Sequence, residues 1–223
     1  MTQATNSHEN TTPNELTIAA YDRNVQSYLD HTSQAYKPHS HLQAWIDAAL
    51  SRLAPQSSVL EVGSATPRDA RYIRSHGFTV QCSDATPHFV EYLKAQGEPA
   101  FILNLLTDPL PPGYDMIFAN AVIQHFTRED LPAIFQKIHT ALGDRALFAF
   151  STKTGSGETW VTEKFEDERY ICFWQPDELE ALTRQTGFEI VYAETALGDC
   201  SDYDWRMIVA QKVKEPHAVN RAF

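Results

Sequence analysis

Apolar positions in this chain follow two spacings. Over residues 16–30, Ile18, Tyr21, Val25, Tyr28 and Leu29 fall three or four apart, which predicts one amphipathic helix. Leu42, Trp45, Ile46, Ala49, Leu50 and Leu53 trace a second helical face behind Pro38, with Ser40 and Gln43 placed as a capping box. From Ser57 the pattern becomes short apolar runs separated by helical stretches. Strands are expected at 58–62, 78–83, 100–103, 114–120 and 146–151, with helices ending at His76 and Gln96 and another over 131–142. Gly77, Gly97, Gly143 and Gly187 each stand just past a predicted helix end, where a left-handed residue closes the last turn. A polar insertion, 152–169, precedes an apolar aromatic run at 170–174. A helix then starts at Pro176-Asp177-Glu178, and strands at 188–193 and 205–213 close the chain as an antiparallel pair. No internal repeat is visible.

Short buried strands alternating with amphipathic helices specify βαβ units and a parallel sheet covered on both faces, an α/β class. At 223 residues with 43% hydrophobic and 21% charged positions, one domain fits better than two small ones. Its expected limits are 15–223: cap helices over 15–56, a cofactor core over 57–151, a substrate or lid insertion over 152–174, and a helix with hairpin over 175–214. Residues 1–14, rich in Thr, Asn and Ser, are expected to fray.

Charge and cysteine content narrow the partners. The formal net charge of −11 opposes nucleic acid, which needs a basic face. Thirteen acids against three cations (Lys164, Arg169, Arg184) lie between Thr154 and Asp204; that segment either repels anionic ligands or is a solvated face. No run approaches the length of a membrane span and the N-terminus has no signal pattern, so a soluble, cytoplasmic protein, monomeric or homodimeric, is expected. Cys82, Cys172 and Cys200 are scattered and read as reduced thiols. His39-x-His41 has no acid nearby, and no metal is expected.

Ligands of open parallel sheets bind beyond the carboxyl ends of the strands, where strand order reverses. The first such turn reads Glu61-Val62-Gly63-Ser64-Ala65-Thr66-Pro67-Arg68-Asp69-Ala70. Ala65 and Pro67 stand where a dinucleotide loop needs glycines, so a cofactor without a diphosphate fits it better. Thr66 to Asp69 reads as a capping box with Pro67 at the first helical position. Asp84, twenty-one residues after Gly63, can accept hydrogen bonds from both hydroxyls of a ribose; the alternative is a helix cap, a task that Thr86 before Pro87 already fills.

Taken together these features resemble the class I S-adenosylmethionine-dependent methyltransferases. Glu61-x-Gly63 resembles that family's acidic-x-Gly-x-Gly-x-Gly signature and Asp84 its ribose acid, while Arg68-Asp69-Ala70 is similar to a subgroup whose first helix begins Gly-Arg-Asp-Ala. The segment from Tyr114 to His125 resembles the fourth strand and the stretch flanking the methyl group; Leu142-Gly143 and Thr186-Gly187-Phe188-Glu189 resemble the family's helix ends. The likeness covers about residues 18–213. It implies a Rossmann-like, doubly wound, mostly parallel seven-stranded sheet with an antiparallel C-terminal hairpin and cap helices.

The resemblance also implies the site. Glu61, Gly63 and Ser64 would line the methionine end of S-adenosylmethionine, Asp84 would hold the ribose, Ala85 would abut the adenine, and Asn104 and Leu105 would flank its edge. Asn120 and Ala121 would lie beside the sulfonium. Arg68 would pair with the methionine carboxylate or with a neighbouring acid, and Tyr21 and Tyr28 would cover the cofactor or pack in the core. His125 stands where a general base would help a hydroxyl, thiol or acidic carbon, or where it would pack or touch substrate. Tyr36, His39, His41, Trp160, Phe165, Tyr170, Phe173 and Trp174 suggest an apolar, aromatic or cationic small-molecule acceptor, or else core closure. The expected activity is methyl transfer by in-line displacement, leaving S-adenosylhomocysteine. A non-catalytic S-adenosylmethionine-binding regulator and a nicotinamide oxidoreductase are the alternatives.

Overall fold

The computed structural model describes residues 11–36, 40–163, 165–197 and 203–213. Helix α1 (Pro13–Arg23) starts earlier than its apolar spacing suggests, because Thr12 and Glu15 form a reciprocal capping box. Residues 12–14 are thus part of a helix entry and not a frayed tail; residues 1–10 of that expected tail lie outside the described residues. The single helix expected over 16–30 is two, since α2 (Val25–His31) is separated from α1 at Asn24. Asn24 Nδ2 donates to the Ala20 carbonyl at 2.8 Å and to Asp167 Oδ2 at 2.5 Å, and this local side-chain bonding competes with the helical ladder. Helix α3 (His41–Leu50) begins as expected at Ser40, whose Oγ accepts from the Gln43 N–H at 3.2 Å. Pro38 lies outside the described residues.

Strands β1 (Ser58–Val62), β2 (Thr79–Asp84), β3 (Ala100–Ile102), β4 (Met116–Ala119) and β5 (Leu147–Lys153) alternate with helices α4 (Arg68–Ser75), α5 (Pro87–Ala95) and α6 (Leu131–Ala141). A ribbon of β6 (Glu158–Val161) and β7 (Arg169–Cys172) follows, then α7 (Pro176–Gln185), β8 (Phe188–Leu197) and β9 (Asp204–Lys212). The main sheet has seven strands in the order β3-β2-β1-β4-β5-β9-β8, parallel through β5, with β9 antiparallel to both its neighbours. The expected fold class is the observed one. The β6–β7 ribbon was not anticipated: Glu158, Thr159 and Trp160 are exposed, so β6 carries no apolar alternation.

Alternation along each central strand divides the core between the two faces. Leu60, Val62, Ile117, Ala119, Phe148 and Phe150 pack with α6 and α7. Val59, Met116, Phe118, Leu147 and Ala149 pack with α3, α4 and α5. Trp45 anchors the second face, stacking on Phe118 with centroids 4.9 Å apart and donating to the Ile208 carbonyl at 3.1 Å. Left-handed glycines end three helices, at Gly77, Gly97 and Gly187. After α6 the left-handed residue is Arg145 instead of Gly143, because Leu142 leaves the helix in an extended conformation.

Candidate active site

The loops after β1, β2 and β4 meet where the strand order reverses, between β1 and β4, and surround a cavity of about 840 Å³. Three of their residues are left-handed: Gly63 (φ +68°), Ala65 (φ +47°) and Ala121 (φ +60°). For an alanine this conformation costs roughly 1–2 kcal/mol, so the two strained non-glycine residues border the cavity itself. A Cβ on Gly63 would overlap Val122 Cγ2, which shows how tightly the first loop sits on the loop after β4.

Asp84 joins two of these loops. Its Oδ2 accepts from the Ala65 N–H at 2.9 Å and its Oδ1 from the Thr86 N–H at 2.8 Å. The expected Thr86 side-chain cap is absent; Thr86 precedes α5 with its own N–H held by Asp84, so the capping task falls in part to Asp84 after all. Burial raises the Asp84 carboxyl to about 6, against the pull of those N–H groups. Each oxygen keeps a further acceptor position, which suits a pair of ribose hydroxyls.

The Thr66–Asp69 capping box does not form. Pro67 occupies the N-cap of α4 without a side-chain cap, and Asp69 is drawn into the site. Its Oδ1 accepts from Arg68 Nε at 2.7 Å and from the Tyr36 hydroxyl, and its Oδ2 from Asn120 Nδ2 at 2.7 Å. Ser151 Oγ extends the network, donating to Asn120 Oδ1 at 2.7 Å and accepting from the Ala121 N–H at 2.8 Å. Glu61 lies behind the loop and does not line the cavity. It accepts from Ser64 Oγ at 2.7 Å, and burial, reinforced by the nearby Asp69 charge, raises its carboxyl to about 8. Arg68 therefore has a protein acid as its partner, the second of its two expected readings.

On the other side of the cavity His125 Nδ1 is 2.9 Å from the Tyr170 carbonyl and Nε2 is 3.1 Å from the Tyr21 hydroxyl. A carbonyl only accepts, so Nδ1 carries the proton and, in the neutral ring, Nε2 accepts from Tyr21. The same Tyr21 oxygen accepts from Arg169 Nη1 at 3.0 Å. Burial raises the Tyr21 phenol, and the Arg169 charge opposes that rise.

Apart from Glu61, every expected site residue lines this cavity. Gly63, Ser64, Arg68, Asp84 and Ala85 do so from the first two loops. Asn104, Leu105, Asn120 and Ala121 do so from the next two, with Asn104 Nδ2 donating to Asn14 Oδ1 of α1 at 2.7 Å. Tyr21, Tyr28 and His125 complete them. The expected aromatic set divides. Tyr36 and His41 line the cavity, and Phe165 is buried behind it against Tyr21 and Arg169, whereas Tyr170 and Trp174 are buried in the core under α6 and α7, and Trp160 is 38% exposed. His41 pairs with Glu194 at 2.6 Å, and His39 lies outside the described residues. Cys82 and Cys172 are free and buried, while Cys200 also lies outside. Sequence reading missed Asn14, Asp69, Lys153, Glu163, Arg169, Tyr203 and Trp205, all of them lining residues. Asn14 lies in the first turn of α1; the signal common to the others is nearness to strand ends or to the polar insertion, which counts in the sequence only as a region.

Among the described residues no helix is long and apolar enough to cross a membrane, and no cluster of three or more His, Cys, Asp or Glu could hold a metal. No curated protein sequence matches the chain. Solved structures share its fold at low identity. A 1,6-didemethyltoxoflavin-N1-methyltransferase from Burkholderia thailandensis, with 1,6-didemethyltoxoflavin and S-adenosylhomocysteine bound, superposes with a TM-score of 0.69 at 17% identity over 95% of this chain and 99% of that one. A magnesium protoporphyrin IX methyltransferase from Synechocystis PCC 6803, with S-adenosylmethionine bound, gives 0.67 at 14% over 92% and 100%. The [4+2]-cyclase SpnF gives 0.67 at 12% over 91% and 96%, a reminder that this fold also carries other chemistry. A family model described as a methyltransferase domain matches residues 29–193, and on that match the chain belongs to the methyltransferase-domain family.

Proposed function

We propose that this protein is an S-adenosylmethionine-dependent methyltransferase acting on a small-molecule acceptor. The observation that carries this reading is the Asp84 carboxylate at the end of β2, fixed by the Ala65 and Thr86 N–H groups and facing the same cavity as the Tyr21–His125 pair. Asp84 takes the ribose hydroxyls, and Ala85, Asn104 and Leu105 border the base. Gly63, Ser64 and Arg68 face the methionine end, with Glu61 holding the loop from behind through Ser64. Tyr21 and Tyr28 of α1 and α2 close over the site, their rings 5.7 Å apart.

When bound, S-adenosylmethionine would supply a methyl carbon activated by a positively charged sulfur, a good leaving group as the neutral thioether. The protein's task is to position the acceptor in line and to exclude water. An acceptor that loses a proton gives it to the Tyr21 oxygen while the Tyr21 proton passes to His125 Nε2. His125 thus acts as base through Tyr21, held in its tautomer by the Tyr170 carbonyl.

The remaining organisation is read with the same function: a soluble cytoplasmic protein, monomeric or homodimeric, whose 152–174 insertion serves the acceptor. Titration calorimetry with S-adenosylmethionine and S-adenosylhomocysteine, comparing wild type with Asp84→Ala, tests the cofactor. Binding by wild type and loss in the variant are expected; failure of both ligands to bind wild type overturns the reading. Binding without transfer of labelled methyl to a broad metabolite pool would favour a cofactor-binding regulator.

A further inference from the structure

Among the described residues, the Arg and Lys side chains around the cavity are bonded to acids, with one exception. Arg68 bonds Asp69, and Lys153 Nζ bonds Glu163 Oε2 at 2.9 Å. Arg169, at the start of β7, has no carboxylate in hydrogen-bonding contact among the described residues, although it lines the cavity and is only 4% exposed. Its Nη1 is used by Tyr21, and its guanidinium packs over the rings of Tyr21 and Phe165, 5.4 and 4.7 Å from their centroids. Its Nε and Nη2 are buried and without a hydrogen-bond partner.

Those two atoms belong to one edge of the guanidinium plane, the edge that grips a carboxylate with two parallel N–H···O bonds. A scaffold role, holding Tyr21 and packing on Phe165, accounts for Nη1 and the guanidinium face but not for the in-plane N–H groups of Nε and Nη2. Buried donors left unpaired in a native structure call for a partner, and for charged donors the need is greater. The local charge selects the kind of anion: Glu163 is bonded to Lys153 and the Asp84 carboxylate faces the same cavity, so the single positive charge of Arg169 suits a monoanion better than a dianionic phosphate. Resting on the methyltransferase reading above, we propose that the acceptor is a small carboxylic acid whose carboxylate is held by Nε and Nη2 of Arg169. Since Nη1 of the same group bonds Tyr21, this anchor sets the acceptor beside the Tyr21–His125 pair. Of the expected apolar, aromatic or cationic acceptor, the inference reverses the cationic reading, and it runs against the acidic surroundings in sequence, because the local fork decides binding where the long-range field only slows approach.

The test is calorimetric titration of benzoate, phenylacetate and hexanoate, each against its primary amide, with phenyl phosphate as the dianionic arm, in the presence and absence of S-adenosylhomocysteine. At least one acid should bind about tenfold or more tightly than its amide, and Arg169→Lys, which keeps the charge but loses the fork, should abolish most of that difference. Acids that bind no better than their amides, phenyl phosphate binding more tightly than every acid, or an acid preference that survives Arg169→Lys would each overturn the proposal. The wild-type acid–amide comparison decides by itself should the variant fail to fold. Binding of S-adenosylhomocysteine without any acid preference sinks only this inference, whereas no binding of S-adenosylhomocysteine by wild type sinks the methyltransferase reading.

Discussion

The Tyr21 hydroxyl and His125 Nε2 lie 3.1 Å apart, although 104 residues separate them in the chain. The contact brings the lid helix α1 onto the short 3₁₀ turn after β4, and it places a proton donor–acceptor pair at the cavity wall. Tyr21→Phe keeps the ring and its edge contacts with Tyr28 and Phe165 but removes the oxygen shared by Arg169 and His125. For an acceptor that loses a proton, kcat should fall roughly 10²-fold while S-adenosylhomocysteine affinity stays within about threefold. An unchanged kcat would reduce Tyr21 to a covering ring.

Cofactor affinity should depend on acid pH through Asp84. Burial places its carboxyl at about 6, and the ionised form is the one able to accept from two ribose hydroxyls. Affinity for S-adenosylmethionine is therefore expected to be flat above that value and to weaken as pH falls through it, approaching about tenfold per unit well below. Asp84→Asn should bind weakly at every pH and lose the slope. A wild-type affinity that is level from pH 7 down to 5 would exclude the carboxylate as the ribose acceptor.

The parts of this site that were legible in sequence are those fixed by strand ends. Gly63 and Asn120 follow apolar runs, and Asp84 ends the alternating strand β2, so the pattern of buried residues places each of them. The misread parts depend on partners far along the chain. Asn24 breaks the first helix with the help of Asp167, 143 residues away, and Asp69 leaves its cap for Tyr36 and Asn120. Arg169 counted only as a cation in an acidic stretch because its meaning lies in Tyr21, 148 residues earlier. Local spacing encodes elements; it does not encode which distant polar group will compete for a side chain.

Glu61 makes a stability prediction of definite sign. Its carboxyl titrates at about 8 in the folded protein because burial, and then Asp69, disfavour the charge, against 4.5 when unperturbed. Between those values the folded chain holds more protons than the unfolded one, so this group makes stability fall as pH rises from about 4.5 to 8. Glu61→Gln retains an acceptor for Ser64 Oγ and removes the titration. The variant's Tm should therefore gain on wild type steadily from pH 5 to pH 8. Parallel Tm curves would mean that Glu61 is already ionised in the fold.

The fit of Gly63 against Val122 can be measured as a coupling energy. Gly63→Ala places a side chain in a left-handed conformation, at a cost of about 1–2 kcal/mol, and drives its Cβ into Val122 Cγ2. Val122→Ala removes that methyl group but leaves the backbone cost. In a double-mutant cycle followed by denaturant unfolding, the double variant should be less destabilised than the sum of the singles by roughly 0.5–3 kcal/mol, since residues in contact do not add. Strict additivity would mean that the two loops do not touch as described. Calorimetry on the same variants separates packing from recognition. If the loop is shaped for the cofactor, Gly63→Ala should weaken S-adenosylhomocysteine binding and Val122→Ala should restore part of it, because the overlap, and with it the loop's displacement, is relieved.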